Sequence, residues 1–324
     1  MPGASRYHTG AMDSAPSGPS LPSGAQQVIE HGASTLVVTE VGATLRCYRV
    51  DDWEVVDGFD EHALCSDGRG QLLAPWPNRL GDGRYRFGDR QGRAPWDEPQ
   101  HRNAIHGLVR WLAWELHGRA QNSLTLGCVL QPQPAYPWRI ALEVEYHLGR
   151  GGLTVRTSVR NLDDVAAPFG LGFHPYLSVG TALVDETRLQ VPAERYLAAD
   201  ERGLPVGQER VGGSELDFRV ARPVGPTRID TAFTGLSRHA DGTARVELRH
   251  PDDGRRLVVW MDSGFGYVQV YSGDNVGAPE RRRRALAVEP MTCPADALRS
   301  GTDLLSLAPG ATWSGTWGIT PSSA

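Results

Sequence analysis

The sequence predicts an all-β protein built as one large antiparallel β-sandwich with few short helices. Many short segments alternate apolar and polar residues, and glycine or aspartate separates one segment from the next, which is typical of strands joined by hairpins. No segment keeps a helical period over three turns. The length of 324 residues would allow two domains, but large all-β units also reach this size. No linker interrupts residues 27–324, so a single domain is predicted there.

The alternating segments justify the predicted strands one after another along the chain. Residues 1–26 precede them and are rich in Gly, Ser, Pro and Ala without periodicity, so we expect a disordered N-terminal tail. From Gln27 onward, the predicted strands cover residues 27–30, 35–40, 44–50, 123–130, 139–148, 153–159, 244–250, 256–260 and 267–271. Their alternation is the pattern of strands with one buried face.

Composition and charge exclude several classes of function. The formal net charge of -5 offers no basic patch for nucleic acid. All 33 basic residues are arginine, so no lysine can form a Schiff base or complete a phosphate-binding loop. The cysteines stand far apart without a Cys-x-x-Cys pair, which predicts a reducing, cytoplasmic location. The sequence has neither a run of about 18 apolar residues for a membrane span nor the apolar core of a secretory signal.

A histidine lies near the end of the distinctive apolar segment Pro168–Tyr176. Two glycines alternate with apolar residues there, which predicts a strand that lets another backbone or a ligand come close. Pro175 cannot donate to a strand ladder, so we expect it to end the strand and to hold His174 extended. His174 would then be a fixed titratable group beside Tyr176. The alternative is a buried histidine satisfied by one hydrogen bond.

An arginine and a second histidine lie in rigid segments upstream. Two prolines fix the segment before Asn78 and Arg79, so the guanidinium can be aimed at an oxygen-rich ligand; a salt-bridged or solvated arginine is the alternative. Gly107 permits a turn or close ligand approach after His106, for which a surface histidine is the alternative. Two tryptophans nearby supply flat apolar faces of the kind that pack against sugar rings: Trp111 and Trp114.

Two carboxylates stand in apolar segments further along. Asp230 lies in a mostly apolar strand, as either an edge residue or a hydroxyl acceptor. Glu289 follows an apolar run and is expected at the end of a strand, because Pro290 is expected to stop the hydrogen-bond ladder.

The Arg281–Arg284 stretch is interpreted as a solvated charge run. Two histidines and a glutamate could form a metal triad, but metal-ligand spacing is absent and Arg79 would repel a cation, so no metal is predicted.

Taken in order, six motifs resemble those of the aldose 1-epimerase (galactose mutarotase) family: NRLGDGRYRFG, AIHGLVRWLAW, YPW, GFHPY, RIDTAF and VEPMTCPADAL. The match spans residues 27–320 and implies the galactose mutarotase-like supersandwich fold. The segment around Arg79 is unlike that of the sugar-phosphate epimerase branch, which makes a hexose-6-phosphate substrate less expected. The segments Pro-Trp-Pro-Asn-Arg and Ile-His-Gly-Leu-Val-Arg-Trp are more similar to a bacterial branch that includes proteins proposed as sulfoquinovose mutarotases.

The resemblance also implies roles for individual residues. The general acid of the family corresponds to His174, its general base to Glu289, and its second active-site histidine to His106. The family's ring-binding arginine and hydroxyl-binding acid correspond to Arg79 and Asp230. The full set of candidate substrate-binding residues is Arg79, Asp230, Asn78 and Tyr176.

The predicted function is therefore that of an isomerase, an aldose 1-epimerase that interconverts the anomers of a free aldohexose by acid–base ring opening, without a cofactor. The alternative is a non-catalytic carbohydrate-binding or sugar-sensing protein on the same fold, but the joint presence of histidine and glutamate favours the enzyme. A glycoside hydrolase would need paired carboxylates flanking the bond. The expected partner is a monosaccharide, with no nucleic acid or membrane, and the chain is expected to be a monomer or homodimer.

Overall fold

The computed structural model describes residues 21–323, and strands make up most of its regular structure. The first strands are β1 (Gln26–His31), β2 (Ser34–Thr39), β3 (Leu45–Val50), β4 (Trp53–Glu54), β5 (Leu72–Leu73), β6 (Arg79–Gly81), β7 (Arg84–Phe87), β8 (Arg90–Arg93), β9 (Asn103–Ile105), β10 (Glu115–Arg119), β11 (Ser123–Leu130), β12 (Ile140–Gly149) and β13 (Gly152–Asn161). The later strands are β14 (Ala167–Phe169), β15 (Gly172–Phe173), β16 (Tyr176–Leu177), β17 (Arg188–Gln190), β18 (Ala193–Ala199), β19 (Pro205–Arg210), β20 (Arg222–Pro223), β21 (Asp230–Leu236), β22 (Ala244–Arg249), β23 (Arg256–Met261), β24 (Tyr267–Tyr271), β25 (Leu286–Met291), β26 (Leu305–Leu307) and β27 (Thr312–Ser322).

The helical segments are short, as the sequence predicts. Within residues 21–323 they are three 3-10 turns, Pro99–His101, Val109–Trp111 and Pro279–Arg281, and the single-turn helix α1 (Ala297–Ser300). Over the same residues, none of these helices has the length and apolar character needed to cross a membrane.

Two large antiparallel sheets contain most of the strands. The first has nine strands in the order β10-β11-β12-β13-β27-β23-β22-β17-β20. The second has the order β19-β18-β21-β24-β25-β15-β5, with β16 as an eighth strand paired to β25. Strands β1 to β4 form a smaller sheet, and three two-stranded sheets pair β6 with β9, β7 with β8, and β14 with β26. The nine strands predicted from alternation all appear, with small shifts at their ends.

The two large sheets pack face to face around one hydrophobic core. Phe173 of β15 and Trp317 of β27 meet across the interface, with ring centroids 5.0 Å apart, and both side chains are buried. Val270 of β24 and Val288 of β25 belong to the same core. This arrangement confirms the predicted antiparallel β-sandwich. Because side chains alternate along a strand, their neighbours Gln269 and Glu289 face the opposite side of the sheet, where the candidate site lies.

Glu289 lies inside a strand rather than at its end, so the expectation that Pro290 stops the ladder is wrong. Strand β25 continues past the proline, and its residues 287–291 pair with the whole of β24. Val288 and Thr292 lie two residues before and two residues after Pro290. Their N–H groups donate hydrogen bonds on the side of β25 that faces away from β24. The proline nitrogen points the same way by alternation. It therefore removes no hydrogen bond from the β24–β25 ladder.

The strand predicted before His174 is split into two short strands. β14 pairs with β26, whereas β15 pairs with β25 and β5 in a different sheet. Gly170 lies at the break, where an added Cβ would approach Sγ of Cys293 to 2.5 Å. The glycines of this segment therefore allow close approach, as predicted, but the chain changes sheets between them.

The last residues of the predicted tail differ from the prediction. Residues 1–20 of the predicted tail lie outside the described residues. Residues 21–26 do not fit a disordered tail, because Gln26 begins β1 and Ser23 is buried. The Ser23 carbonyl accepts a hydrogen bond from the N–H of Val41, which fixes this segment against the chain that follows β2.

The arginine run before β25 is only partly solvated, which corrects its interpretation as a solvated charge run. Arg281 forms an ion pair with Asp57. Arg283 forms one with Asp274 at 2.8 Å, and neither of these arginines is fully exposed. Only alternate members of the run, Arg282 and Arg284, are exposed. The run thus ties the loop before β25 to neighbouring loops.

Candidate active site

A cavity of about 490 Å³ lies on the side of the eight-stranded sheet that faces away from the core. Side chains from β21, β24 and β25 line it, together with loops before and after β6 and β9. Small-molecule sites commonly have volumes of about 300–1,000 Å³. The structure brings all seven candidate site residues to the lining of this one cavity: Asn78, Arg79, His106, His174, Tyr176, Asp230 and Glu289.

His174 and Glu289 form a buried pair at the centre of the site. Nε2 of His174 lies 3.4 Å from Oε1 of Glu289, and the two side chains are 7% and 3% exposed. Nδ1 of His174 and Oε2 of Glu289 are also buried, and neither has a hydrogen-bond partner within residues 21–323. Since buried polar atoms are nearly always hydrogen-bonded, these two atoms are suited to contact a polar ligand.

Burial pushes both members of this pair toward their neutral forms. Burial raises the pKa of the Glu289 carboxyl well above its ordinary value, and the nearby Asp230 carboxylate adds to the rise while Arg79 opposes it. Burial also lowers the pKa of His174 to about 3, and the positive charge of Arg69 contributes to that shift. Removing two charges from water outweighs their mutual attraction. Both shifts favour the form of the pair that has one titratable proton, carried by the carboxyl group.

His106 packs edge-to-face against His174, with ring centroids 5.2 Å apart and 87° between the planes. Its backbone has a φ of 65°, and its N–H donates to the carbonyl of Asn78 at 2.9 Å. The next residue has to be glycine, because a Cβ on Gly107 would lie 2.1 Å from the carbonyl oxygen of Ala74. Burial, reinforced by neighbouring cations, lowers the pKa of His106 well below its ordinary value. His106 is therefore neutral in this environment.

Arg79 is held in the site by a carboxylate that sequence reasoning did not identify. Its Nε donates to Oε2 of Glu98 at 3.0 Å and its Nη2 to Oε1 at 3.2 Å, while Nη1 lies 3.6 Å from Oδ2 of Asp230. Asn103 also donates to Glu98, at 2.9 Å. Burial would raise the pKa of Glu98, but the hydrogen bonds from Arg79 and Asn103 outweigh it and lower the pKa. The two-point contact fixes the plane of the guanidinium.

Asn78 both lines the cavity and shapes the turn into β6, which begins at Arg79. Its Oδ1 accepts the backbone N–H of Arg79 at 2.8 Å, and its carbonyl accepts the N–H of His106. Asn78 has a φ of 55°, a conformation that asparagine tolerates better than most residues. One buried asparagine thus links the loops that carry the two upstream site residues.

Asp230 and Tyr176 both line the cavity but differ in exposure. Asp230 begins β21 with a side chain 48% exposed, and its Oδ1 accepts a hydrogen bond from Nε2 of Gln269 at 2.5 Å. Tyr176 is buried and stacks on His174, with centroids 5.1 Å apart and 22° between the planes. Its hydroxyl donates to the carbonyl of Asp67 at 3.2 Å. Asp230 is therefore open to a polar ligand, whereas Tyr176 fixes the imidazole plane.

Several lining residues were missed, and only some left a signal in the sequence. Gln269 and Tyr271 share one face of β24, which follows from the alternation of residues 267–271. Asp97 and Glu98 lie in an irregular loop, where acidic residues are ordinarily solvated, so nothing pointed to them. Asp97 holds Arg110, another lining residue, through a contact of 2.6 Å between Nη2 and Oδ2.

The two tryptophans proposed as sugar platforms do not line the cavity. Trp114 is 2% exposed, and its Nε1 donates to the carbonyl of Val109 at 3.2 Å. Its large apolar ring belongs to the hydrophobic core. Trp111 is 45% exposed and packs against the guanidinium of Arg110. The prediction of stacking platforms is therefore wrong for this cavity.

The sequence profile of the aldose 1-epimerase family matches residues 25–320, and this chain belongs to that family. The uncharacterized protein YihR of Escherichia coli K12 is 38% identical over 242 residues, which cover 74% of this chain and 75% of YihR. The uncharacterized protein YphB of the same organism is 26% identical over 289 residues, covering 87% of this chain and 93% of YphB.

Solved structures share the fold at lower sequence identity. The GalM/aldose epimerase homologue from C. elegans has a TM-score of 0.80 at 19% identity, covering 93% of this chain and 100% of that one. Galactose 1-epimerase from Lactobacillus acidophilus has a TM-score of 0.77, also at 19% identity, covering 92% of this chain and 94% of that one. These likenesses confirm the galactose mutarotase-like fold.

Proposed function

We propose that this protein is an aldose 1-epimerase that interconverts the α and β anomers of a free aldohexose by acid–base opening of the hemiacetal ring. The observation that carries the proposal is the buried His174–Glu289 pair, which shares one proton inside a cavity of small-ligand size. Ring opening needs one group to accept a proton and another to donate one at the same time. A pair with a single proton meets this requirement.

The proposed reaction begins at the C1 hydroxyl. For the first step the proton of the pair resides on His174, which it reaches from Glu289 across their 3.4 Å contact. The Glu289 carboxylate then takes the C1 hydroxyl proton, the C1–O1 bond becomes a carbonyl, and the bond between C1 and the ring oxygen breaks. His174 gives its proton to the departing ring oxygen. Rotation about C1–C2 exposes the other carbonyl face, and the same transfers in reverse close the ring.

The remaining residues of the site would bind and orient the sugar. Arg79, held by Glu98, would donate to sugar oxygens with its remaining N–H groups, and the half-exposed Asp230 would accept from a hydroxyl. Neutral His106 would contact the ring oxygen or a neighbouring hydroxyl. Such donors lower the barrier most when they are fixed before the charge develops. These steps need no cofactor.

A panel of sugars tests the proposal. Freshly dissolved α-D-glucose, α-D-galactose and α-sulfoquinovose would each be followed by polarimetry with and without protein. Acceleration of one or more sugars at catalytic protein concentration supports the enzyme and ranks its substrates. Binding of a sugar by calorimetry without any acceleration would instead indicate the carbohydrate-binding or sugar-sensing alternative.

A further inference from the structure

A buried arginine stacks against the active-site histidine through a tyrosine ring. The guanidinium carbon of Arg69 lies 4.2 Å from the centroid of the Tyr176 ring, and that ring stacks in turn on His174. The Arg69 side chain is only 1% exposed. The three side chains therefore form a layered stack, guanidinium, phenol and imidazole, that runs from the protein interior into the cavity. Arg69 itself does not line the cavity.

The backbone around Arg69 also holds His174 on its other sides. A Cβ on Gly68 would lie 3.0 Å from Cδ2 of the imidazole, so glycine is needed for this close approach. The N–H of Gly70 donates to the His174 carbonyl at 2.9 Å, and the N–H of His174 donates to the carbonyl of Gln71 at 3.0 Å. Residues 68–71 thus form a cradle around His174, and Arg69 is its one charged member.

Packing alone does not explain a cation at this position. Nη1 of Arg69 forms an ion pair with Asp57 at 2.6 Å, but its Nε is buried without a hydrogen-bond partner within residues 21–323. Asp57 is shared with Arg281. Burying an incompletely paired charge lowers the stability of a protein, and replacing it with an apolar side chain of similar volume often leaves the protein no less stable. The cost suggests a role for the charge and its planar shape next to His174.

We propose that Arg69 is a positioning residue for His174, which acts through the ring of Tyr176 to fix the imidazole plane and to place a positive charge behind it. This inference rests on the proposed mutarotase function, in which His174 donates the proton. A guanidinium on one face of an aromatic ring is held by the ring quadrupole. Because the phenol is clamped between two planar groups, the imidazole has little freedom to tilt away from the sugar.

The charge of Arg69 acts on His174 together with the other groups that face it. Burial lowers the pKa of His174, Arg69 and then Arg110 lower it further, and Asp67 opposes them. The remaining groups that face the imidazole are His106, Tyr176 and Glu289. Removing the positive charge at residue 69 should therefore make His174 easier to protonate.

The test compares Arg69→Met with Arg281→Met in the full chain. Both variants remove a cation from Asp57, but only Arg69 contacts Tyr176, so Arg281→Met is the matched control. The imidazole carbon signal of His174, assigned by its loss in His174→Asn, would be followed by NMR against pH. We expect Arg69→Met to raise the pKa of His174 and to lower kcat about tenfold or more with little change in KM, as for misplaced catalytic groups. Arg281→Met should leave the titration and kcat at wild-type values.

The proposal is overturned if the His174 titration is the same in Arg69→Met and wild type, or if Arg281→Met changes it equally. If Arg69→Met does not fold, Arg69→Lys supplies the test, because it keeps the charge but loses the planar stack; it should lower kcat while the pKa of His174 stays low. An unchanged kcat in Arg69→Lys would contradict the positioning role. The NMR titration does not depend on turnover, so failure of the mutarotase proposal and failure of the Arg69 proposal are distinguishable.

Discussion

At the scale of single residues, the proposed chemistry depends on how many protons the His174–Glu289 pair carries. Burial raises the pKa of the carboxyl and lowers that of the imidazole, so the pair keeps one proton over a wide range of pH. With two protons the pair has no base, and with none it has no acid. The reaction requires the form between these limits in both directions.

Removing either member of the pair should stop catalysis without unfolding the protein. We expect Glu289→Gln and His174→Asn each to lower kcat by at least about 10²-fold, the usual contribution of a general acid or base. Glu289→Gln should melt no lower than wild type, because a buried amide avoids the cost of an ionisable carboxyl. Polarimetry and thermal melts measure the two effects. A variant that keeps nearly the wild-type rate would refute the role assigned to its residue.

The pH dependence of kcat/KM gives a second prediction at this scale. A general acid with the ordinary pKa of histidine would lose its proton, and its function, as pH rises through 6.5, but burial lowers the pKa of His174 to about 3 and raises that of Glu289, so Glu289 holds the proton of the pair. The pair gains its second proton only near that lower value, so activity should be the same at pH 5 and pH 7. Activity should fall at high pH, where Glu289 finally loses its proton. An alkaline limb centred near the ordinary histidine value would show that His174 is not desolvated as the structure indicates.

At the scale of structural elements, the site joins a rigid floor of strands to walls made of loops. Strands β24 and β25 place Gln269 and Glu289 side by side in one ladder. The opposite wall depends on the loop that precedes the 3-10 turn Pro99–His101, where Glu98 holds Arg79. The floor is fixed by backbone pairing, whereas this wall is fixed by one two-point ion pair.

Glu98→Gln should therefore loosen sugar binding more than it affects the chemistry. With a neutral amide in place of the carboxylate, Arg79 is no longer fixed in its plane, so we expect KM to rise several-fold, which corresponds to about 1 kcal/mol, the net contribution of a typical hydrogen bond, and kcat to change less. Glu247→Gln is the matched control, because Glu247 is equally buried and also binds arginine, Arg256, in the nine-stranded sheet. Steady-state kinetics on both variants measure the difference. Equal effects in the two variants would contradict a specific role for Glu98.

The sequence predicted the strands better than the loops, and the reason is physical. Alternation along a strand is dictated by the pleat, so the segment around Gln269 and Tyr271 could be placed from sequence. The ion pair between Arg79 and Glu98 joins the first residue of the short strand β6 to a loop and has no periodic pattern. The prediction that Pro290 ends the strand was wrong, because whether a proline ends a strand depends on which neighbouring strand its nitrogen faces. The prediction that Trp114 packs against a sugar was wrong too, because the sequence does not distinguish a core tryptophan from one in a binding site.

At the scale of the whole molecule, the buried site should set the pH at which the protein is most stable. Below pH 6.5 the unfolded chain binds protons on His106 and His174, whereas the native state does not bind them because both pKa values are lowered. Stability therefore falls as pH falls. The native state keeps a proton on Glu289 that the unfolded chain releases from about pH 4.5 upward. This effect partly offsets that of the two histidines up to pH 6.5, and above pH 6.5, where the histidines are neutral in both states, it makes stability fall as pH rises. Each unmatched proton changes the free energy of unfolding by about 1.4 kcal/mol per pH unit.

We therefore expect the urea midpoint to peak near pH 6.5 and to decline on both sides. Glu289→Gln removes the retained proton, so the decline above pH 6.5 should become shallower in this variant while the decline at low pH persists. Urea titrations between pH 5 and 8.5 measure both slopes. Identical alkaline slopes in wild type and variant would mean that Glu289 ionises at its ordinary pH.

Family membership and fold define the kind of site. The proposal that the protein catalyses the interconversion of sugar anomers can be tested without any net reaction. Magnetisation exchange between the α and β anomeric proton signals of glucose, galactose and sulfoquinovose would be measured at equilibrium over a series of protein concentrations. The account predicts that for at least one sugar the exchange rate rises in proportion to protein in both directions, and that Glu289→Gln abolishes the rise. An exchange rate that stays at the spontaneous value for all three sugars, at every protein concentration, would contradict it.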